Sequence, residues 1–350
     1  MDYILGGETK GSVAKMLLNN QFTPGHMRPF VAEDGYTYIT NQAGKAEMVG
    51  NADATLRKDE WIHIDRAVVA AARQRLGFVN RLRGNGQVYS LGNALGKTIL
   101  QTQTASKRGT AKASMDGLAK SDDDRTHFDL LSLPLPIIHE DFSFSAREIA
   151  TSRNDGTPLD VEAVTQATIN VTEYIEKLHL GTAPAFQFGG ASIYGLTNFP
   201  SNVSVTITPP TDGGWTGATL VEDILAMKEA LRQKYQYGPF DLYFSGDWDK
   251  YLDTDYSENK GDNTVRDRLL RIQGIESAET LDFLPSTGYH IYMVQRSQST
   301  IRTVQGMDIT TMRWETEGGM LLNFKVMAIM IPQLRADYDG NTGIAHGAPA

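Results

Sequence analysis

The 350-residue chain contains no cysteine, which excludes disulfide frameworks, thiolate metal centres and cysteine nucleophiles together. It also lacks any hydrophobic run near the ~18 to 20 residues that span a bilayer. Asp2 stands where a secretory signal carries basic residues, so neither a membrane span nor a leader is expected. Positive charge is in short supply. Lys and Arg number 33 against 42 Asp and Glu, a net charge of -9, and the longest like-charge block is Asp122-Asp123-Asp124, so no basic tail is present to grip nucleic acid. The fractions that remain, 41% hydrophobic and 21% charged, belong to a folded globular chain rather than a disordered, fibrous or membrane one. Its length suits two compact domains with arms. No solenoid or propeller period appears.

The motifs that would carry chemistry are missing as well. Gly92-Asn93-Ala94-Leu95-Gly96-Lys97-Thr98 approaches a phosphate-binding loop, but the first glycine such a loop needs falls on Leu91. Six of the seven histidines (His63, His127, His139, His179, His290, His346) stand singly, without the spacing or carboxylate company of a metal centre. His139-Glu140-Asp141 alternates sides on a strand and does not converge on one ion. No G-x-S-x-G nucleophile elbow occurs. Asp247, Asp249, Asp253 and Asp255 lack the glycine and terminal glutamate of a calcium loop, and read as a solvated surface with Asp247 capping a helix. No cofactor and no catalytic or metal site is therefore expected.

What is present is a succession of patterned elements. In LSLPLPIIHEDFSFSARE, Ile138, Phe142 and Phe144 alternate with polar residues as on a half-buried strand. A long helix follows, with Thr157 as N-cap, Pro158 at its first position and Gly181 at its end. Val161, Val164, Val171, Ile175 and Leu178 form its apolar stripe. An earlier helix is predicted from Asp59, with Trp61, Ile64, Val68 and Leu76 on its inner face and Asp65, Arg66, Arg73 and Gln74 outside; Gly77 closes it. Downstream, Val203 to Thr208 reads as a strand, and Leu220, Ile224, Met227 and Leu231 as a helix stripe. Strands follow at Phe240 to Phe244, Ser277 to Phe283 and His290 to Gln295, with short helices near Trp248 to Leu252 and Thr264 to Ile272. Asp308 to Trp314 and Met320 to Ile331 read as two more strands joined at Gly318-Gly319. The last residues, YDGNTGIAHGAPA, read as a flexible tail.

Two segments have little apolar content of their own. Residues Met1 to Arg57 read as an extended arm. Between Arg83 and Asp129, Thr, Ser, Gly, Lys and Asp predominate, too polar to offset the cost of ordering by burial. Gln87 to Leu91 and Thr98 to Thr104 have strand content, so this stretch is expected to form a long hairpin that ends on another molecule.

Taken in order, these pieces resemble the major capsid protein fold of tailed bacteriophages, the Hong Kong 97 type, which encapsulin nanocompartments share. The resemblance runs from about Asp59 to Leu334. It is carried by DEWIHIDRAVVAAARQRL, LPLPIIHEDFSFSAREI, PLDVEAVTQATINVTEYIEKLHLGT, YGLTNF, LVEDILAMKEALRQKYQYGPFDLYFSGDWDKYL and MLLNFKVMAIMIPQLRAD. It implies an α+β subunit with an N-terminal arm (1–57), a helix (58–82), an extended loop (83–130), a peripheral domain (131–191 and 302–336) with a spine helix, an axial domain (192–301) and a flexible tail (337–350). It further implies a structural protein rather than an enzyme. Copies would form hexamers and pentamers of an icosahedral head, assembled in a bacterial host cytoplasm with scaffold and portal proteins, decoration proteins being an open option. The shell would hold double-stranded DNA without sequence-specific contacts and without a membrane. The acidic balance suits that role, because a strongly basic inner wall would hold the DNA through released counterions. Lys97, Lys107, Arg108, Lys112 and Trp61 are the expected assembly contacts. Some members of the family crosslink a loop lysine to an asparagine; Asn341 is available, but no motif assigns that chemistry here. The alternative is an encapsulin-like compartment around a cargo enzyme, against which the nearly sixty residues before the Trp61 helix speak.

Overall fold

In the computed structural model the residues described are 29–31, 37–40, 46–48, 62, 64–68, 76–92, 94–106, 115, 127–155, 162–256 and 263–349. The first three strands, β1 (Pro29–Val31), β2 (Thr37–Thr40) and β3 (Ala46–Met48), form an antiparallel sheet in that order. Helical residues 64–68 precede helix α1 (Gly77–Gly84) and strands β4 (Val88–Ser90), β5 (Ile99–Ala105), β6 (Phe128–Pro134) and β7 (Ile138–Ser145). Helices α2 (Ala146–Asp155) and α3 (Glu162–Leu180) come next, then β8 (Gln187–Phe188), β9 (Ala191–Ser192) and β10 (Val203–Thr206). The chain continues through α4 (Gly217–Gln233), β11 (Phe240–Ser245), α5 (Asp249–Leu252), α6 (Val265–Leu270), β12 (Ile275–Leu281) and β13 (Ile291–Gln295). It closes with the long hairpin β14 (Ile301–Thr316) and β15 (Leu321–Leu334) and the strand β16 (Ile344–Ala348).

Two cores result. In the first, the four-stranded sheet β4-β14-β15-β7 carries α3 across β7 and β15. The stripe on α3 dictates this contact, since Val164, Val171, Ile175 and Leu178 are buried together with Ile138, Phe144, Phe324 and Val326. On β15, burial alternates from Leu322 to Val326 and then runs unbroken from Val326 to Gln333. That change marks where the strand passes from one covered face to two. In the second core, the five-stranded sheet β10-β16-β13-β11-β12 packs against α4, whose Leu220, Ile224, Met227 and Leu231 are buried. A third cluster joins them: Phe78 and Leu82 of α1 meet Leu180, Tyr243, Tyr292 and Ile301.

Several sequence expectations are corrected. Gly77 does not close a helix but opens α1, behind a non-helical Leu76. Helix therefore extends through Arg83 and Gly84, where the extended loop was expected to have begun. Asp65, expected on the outer face, is buried next to Ile64. The hairpin partner was also misassigned. Gln87 to Leu91 contains β4, which pairs in parallel with β14, whereas β5 pairs with β6. Asp247 lies within a 3-10 turn, and the helix after it starts without a side-chain cap. The tail is not flexible: β16 lies between β10 and β13, with Ile344 and Ala345 fully buried. The Thr157 and Pro158 helix start lies outside the described residues.

Candidate functional site

Most of the charged residues expected at assembly contacts are not placed by the structure. Trp61, Lys107, Arg108 and Lys112, like Val161 of the stripe, lie outside the described residues. Lys97 is exposed just after the turn Ala94–Gly96, at the foot of β5. The other four stripe residues are brought together on the inner face of α3, as described above.

An apolar surface that the sequence reading passed over stands on the β5–β6 hairpin. The register runs from Ile99↔Pro134 to Ala105↔Phe128, so the pleat puts Phe128 and Leu130 on one face and Leu131 on the other. All three are exposed, Phe128 by 64%. Among the described residues of the hairpin, only those at its foot, Leu133 and Pro134, are buried. An isolated two-stranded ribbon is marginal in water. The signal for this surface was available in FDLLSLP, where four large apolar residues crowd into a segment framed by polar sequence.

Beside the foot lies a second apolar feature, a pair of hollows of about 390 and 750 Å³ that share Pro136, Ile137, His139 and Phe186. Ile137 and Phe188 are half exposed there. Its polar rim is modest: Lys325 Nζ lies 3.2 Å from Asp141, and His139 Nδ1 3.8 Å from the same carboxylate.

Several titratable groups with displaced pKa values lie in the interior. Burial pushes the Glu176 carboxyl up to about 7, even though the amides of Phe78 and Val79 donate to it. Burial holds His179 down at about 4. His346 is also pushed down to about 4 by burial and by His290, whose Nδ1 is 3.0 Å from His346 Nε2. That histidine pair was missed because its members are 56 positions apart. Asp241, buried on β11, accepts from Arg296, Ser277 and Asn85, tying the end of α1 to the five-stranded sheet. Among the described residues no group of three His, Asp or Glu side chains is placed to hold a metal ion. No described helix is long and apolar enough to cross a membrane.

Comparison with known proteins places this geometry. A family model described as a family of unknown function (DUF6260) matches residues 51–347. A curated relative, the type 1 encapsulin shell protein EncA of Myxococcus xanthus (strain DK1622), is 22% identical over 203 residues. That match takes in 57% of this chain and 64% of the relative, so the chain spans under two thirds of the relative's length. Among solved structures, the virus-like particle from Pyrococcus furiosus matches with a TM-score of 0.57 and 14% identity, covering 81% of this chain and 97% of that one. The capsid of Myoviridae phage XM1 matches at 0.59 with 10% identity, over 79% and 92%. The capsid of a native GTA particle matches at 0.56 with 10% identity, over 77% and 89%. The fold is the Hong Kong 97 type of major capsid proteins, as the sequence resemblance implies.

Proposed function

We propose that this chain, which belongs to the family of unknown function DUF6260, is the subunit of a closed icosahedral protein shell, and specifically the major capsid protein of a tailed phage. The observation that carries the reading is the β5–β6 hairpin: Phe128, Leu130 and Leu131 are exposed on a ribbon whose described residues are buried only at its foot. Exposed apolar groups on such a ribbon gain a partner through a neighbouring copy. In this reading the core around α3 is the peripheral domain and the core around α4 the axial domain, and β16 belongs to the latter. The shell would surround double-stranded DNA, with scaffold and portal proteins assisting assembly in the host cytoplasm, and the subunit would do no chemistry of its own.

A compartment enclosing a protein cargo is the second reading, supported by the resemblance to an encapsulin shell protein. The presence of β1 to β3 ahead of the first helix supports the phage reading instead. Electron microscopy of the purified protein tests the shell itself, and closed particles are expected. Nuclease-protected DNA inside native particles supports the first reading, co-purifying protein cargo the second, and a monodisperse monomer under all assembly conditions overturns both.

A further inference from the structure

Helix α1 starts without a capping side chain of its own, since Leu76 precedes it. Its first free amides are satisfied from elsewhere. Glu176, 2% exposed on α3, accepts from the N–H of Phe78 at 2.5 Å through Oε1 and from that of Val79 at 3.3 Å through Oε2. The contact sits between the two sheets, because Val79 packs into the first core while Phe78 meets Tyr243, on β11 of the five-stranded sheet, edge-on at 5.0 Å.

Among the described residues, the surrounding groups leave Glu176 without a cation of its own. On α3, His179 is fully buried, with Nδ1 2.8 Å from the Ile175 carbonyl, and burial and Arg83 hold it neutral. On α1, Arg83 is 3.2 Å from Asp308 of β14, and Arg81 pairs with Glu279 of β12. On β11, Tyr243 is kept protonated by burial and by Asp241, and Asp241 itself is bound to Arg296.

We propose that Glu176 and the first turn of α1 form a proton-operated latch between the two cores, closed while the carboxyl is protonated and loosened when it ionises. Opening α1 lets water reach the carboxylate and returns it to ordinary acidity, so ionisation favours the open state. The folded pKa is raised, from 4.5 to about 7; the stabilisation is complete below 4.5 and disappears as pH rises through 7. The consequence for a shell, a pH-dependent freedom between the cores, rests on the proposed function. The latch does not.

The test is amide hydrogen exchange at Phe78 and Val79 in dispersed full-length subunits, corrected for the intrinsic pH dependence of exchange. Protection is expected to fall about tenfold between pH 6 and pH 8. In Glu176→Gln it should stay constant. Flat protection in the wild type, or the same pH dependence in the variant, overturns the latch. If the variant does not fold, carbon-13 titration of labelled glutamates in the wild type decides instead: a Glu176 midpoint between 6 and 8 supports the proposal, and one below 5 overturns it. Failure of the shell reading would leave all these readouts unchanged.

Discussion

Gly195 lies so close to Gly181 that a Cβ on Gly195 would come within 2.1 Å of the Gly181 nitrogen and 2.6 Å of the Leu178 carbonyl oxygen. The approach finishes α3. Gly181, with φ of 83°, turns the chain off the helix, and the amides of Leu196 and Thr197 donate to the last carbonyls, those of His179 and Leu180. Gly195→Ala must push two backbones apart and break that cap, and it is expected to cost about 3 kcal/mol or more in chemical denaturation. An unchanged midpoint would show that the joint yields freely.

Val171 faces the sheet from the middle of α3 and is 2% exposed. Val171→Asp would put a carboxylate there, among Ile138, Val164 and Ile175, with an expected loss of about 3 to 5 kcal/mol. Circular dichroism and solubility provide the readout. A soluble variant with the wild-type spectrum and stability would place the wrong face of α3 inside.

How far the fold could be read from sequence follows from which contacts leave a periodic trace. The stripes on α3 and α4 were legible because each faces one sheet at a helical period. The two strands of the long hairpin were read too short. Thr303, Thr310, Thr311 and Arg313 are buried on β14, so polar residues there interrupt the apolar alternation that marks a strand. Strand β16 was missed for a different reason. Ile-Ala-His-Gly-Ala has a single β-branched residue, and its strand conformation is set by β10 and β13 on either side. The wrong hairpin partner has the same origin, since β4 finds β14 more than two hundred residues away. The exposed hairpin residues were legible in composition, but their exposure depends on tertiary packing that composition does not encode.

Because β16 is an interior strand, removing residues 337–350 should do more than shorten the chain. Truncation would expose the adjacent edges of β10 and β13 and uncover Ile207 and Met227, which lie against Gly347. The truncated protein is expected to aggregate or to lose at least half of its unfolding cooperativity in calorimetry. A soluble truncation with the wild-type melting temperature would make the strand an accessory.

His346 stacks on Tyr292 with ring centroids 4.5 Å apart and planes 4° from parallel, and it shares a hydrogen bond with His290. Burial depresses its pKa from 6.5 to about 4, so the unfolded chain takes up the proton first. Its contribution to stability is therefore complete above pH 6.5 and lost as pH falls toward 4. Glu176 works in the opposite sense over the range from 4.5 to 7, so the two must be separated by substitution. The gap in unfolding free energy between wild type and His346→Asn is expected to narrow from pH 7.5 to pH 4.5, by about 1 kcal/mol once solvent screening of the partly exposed ring is allowed for. A constant gap would mean that His346 takes a proton in the fold as readily as in water.

The segment before the first helix distinguishes the two shell readings. Residues 1–57 contain β1, β2 and β3, and Tyr38 of β2 packs against the core that holds α3. In that contact the segment contributes little to a core that α3, β7 and β15 already form, so its deletion should leave a folded subunit with a near-native circular dichroism spectrum. Assembly is another matter. If the segment ties copies together, as the phage reading requires, sedimentation of the deleted chain should show mostly unassembled subunits. An encapsulin-like shell closes without such an arm, and normal closed particles from the deleted chain would favour a compartment over a phage head. A deleted chain that failed to fold would instead make the three strands part of the subunit core, and the contact of Tyr38 with that core would then be structural.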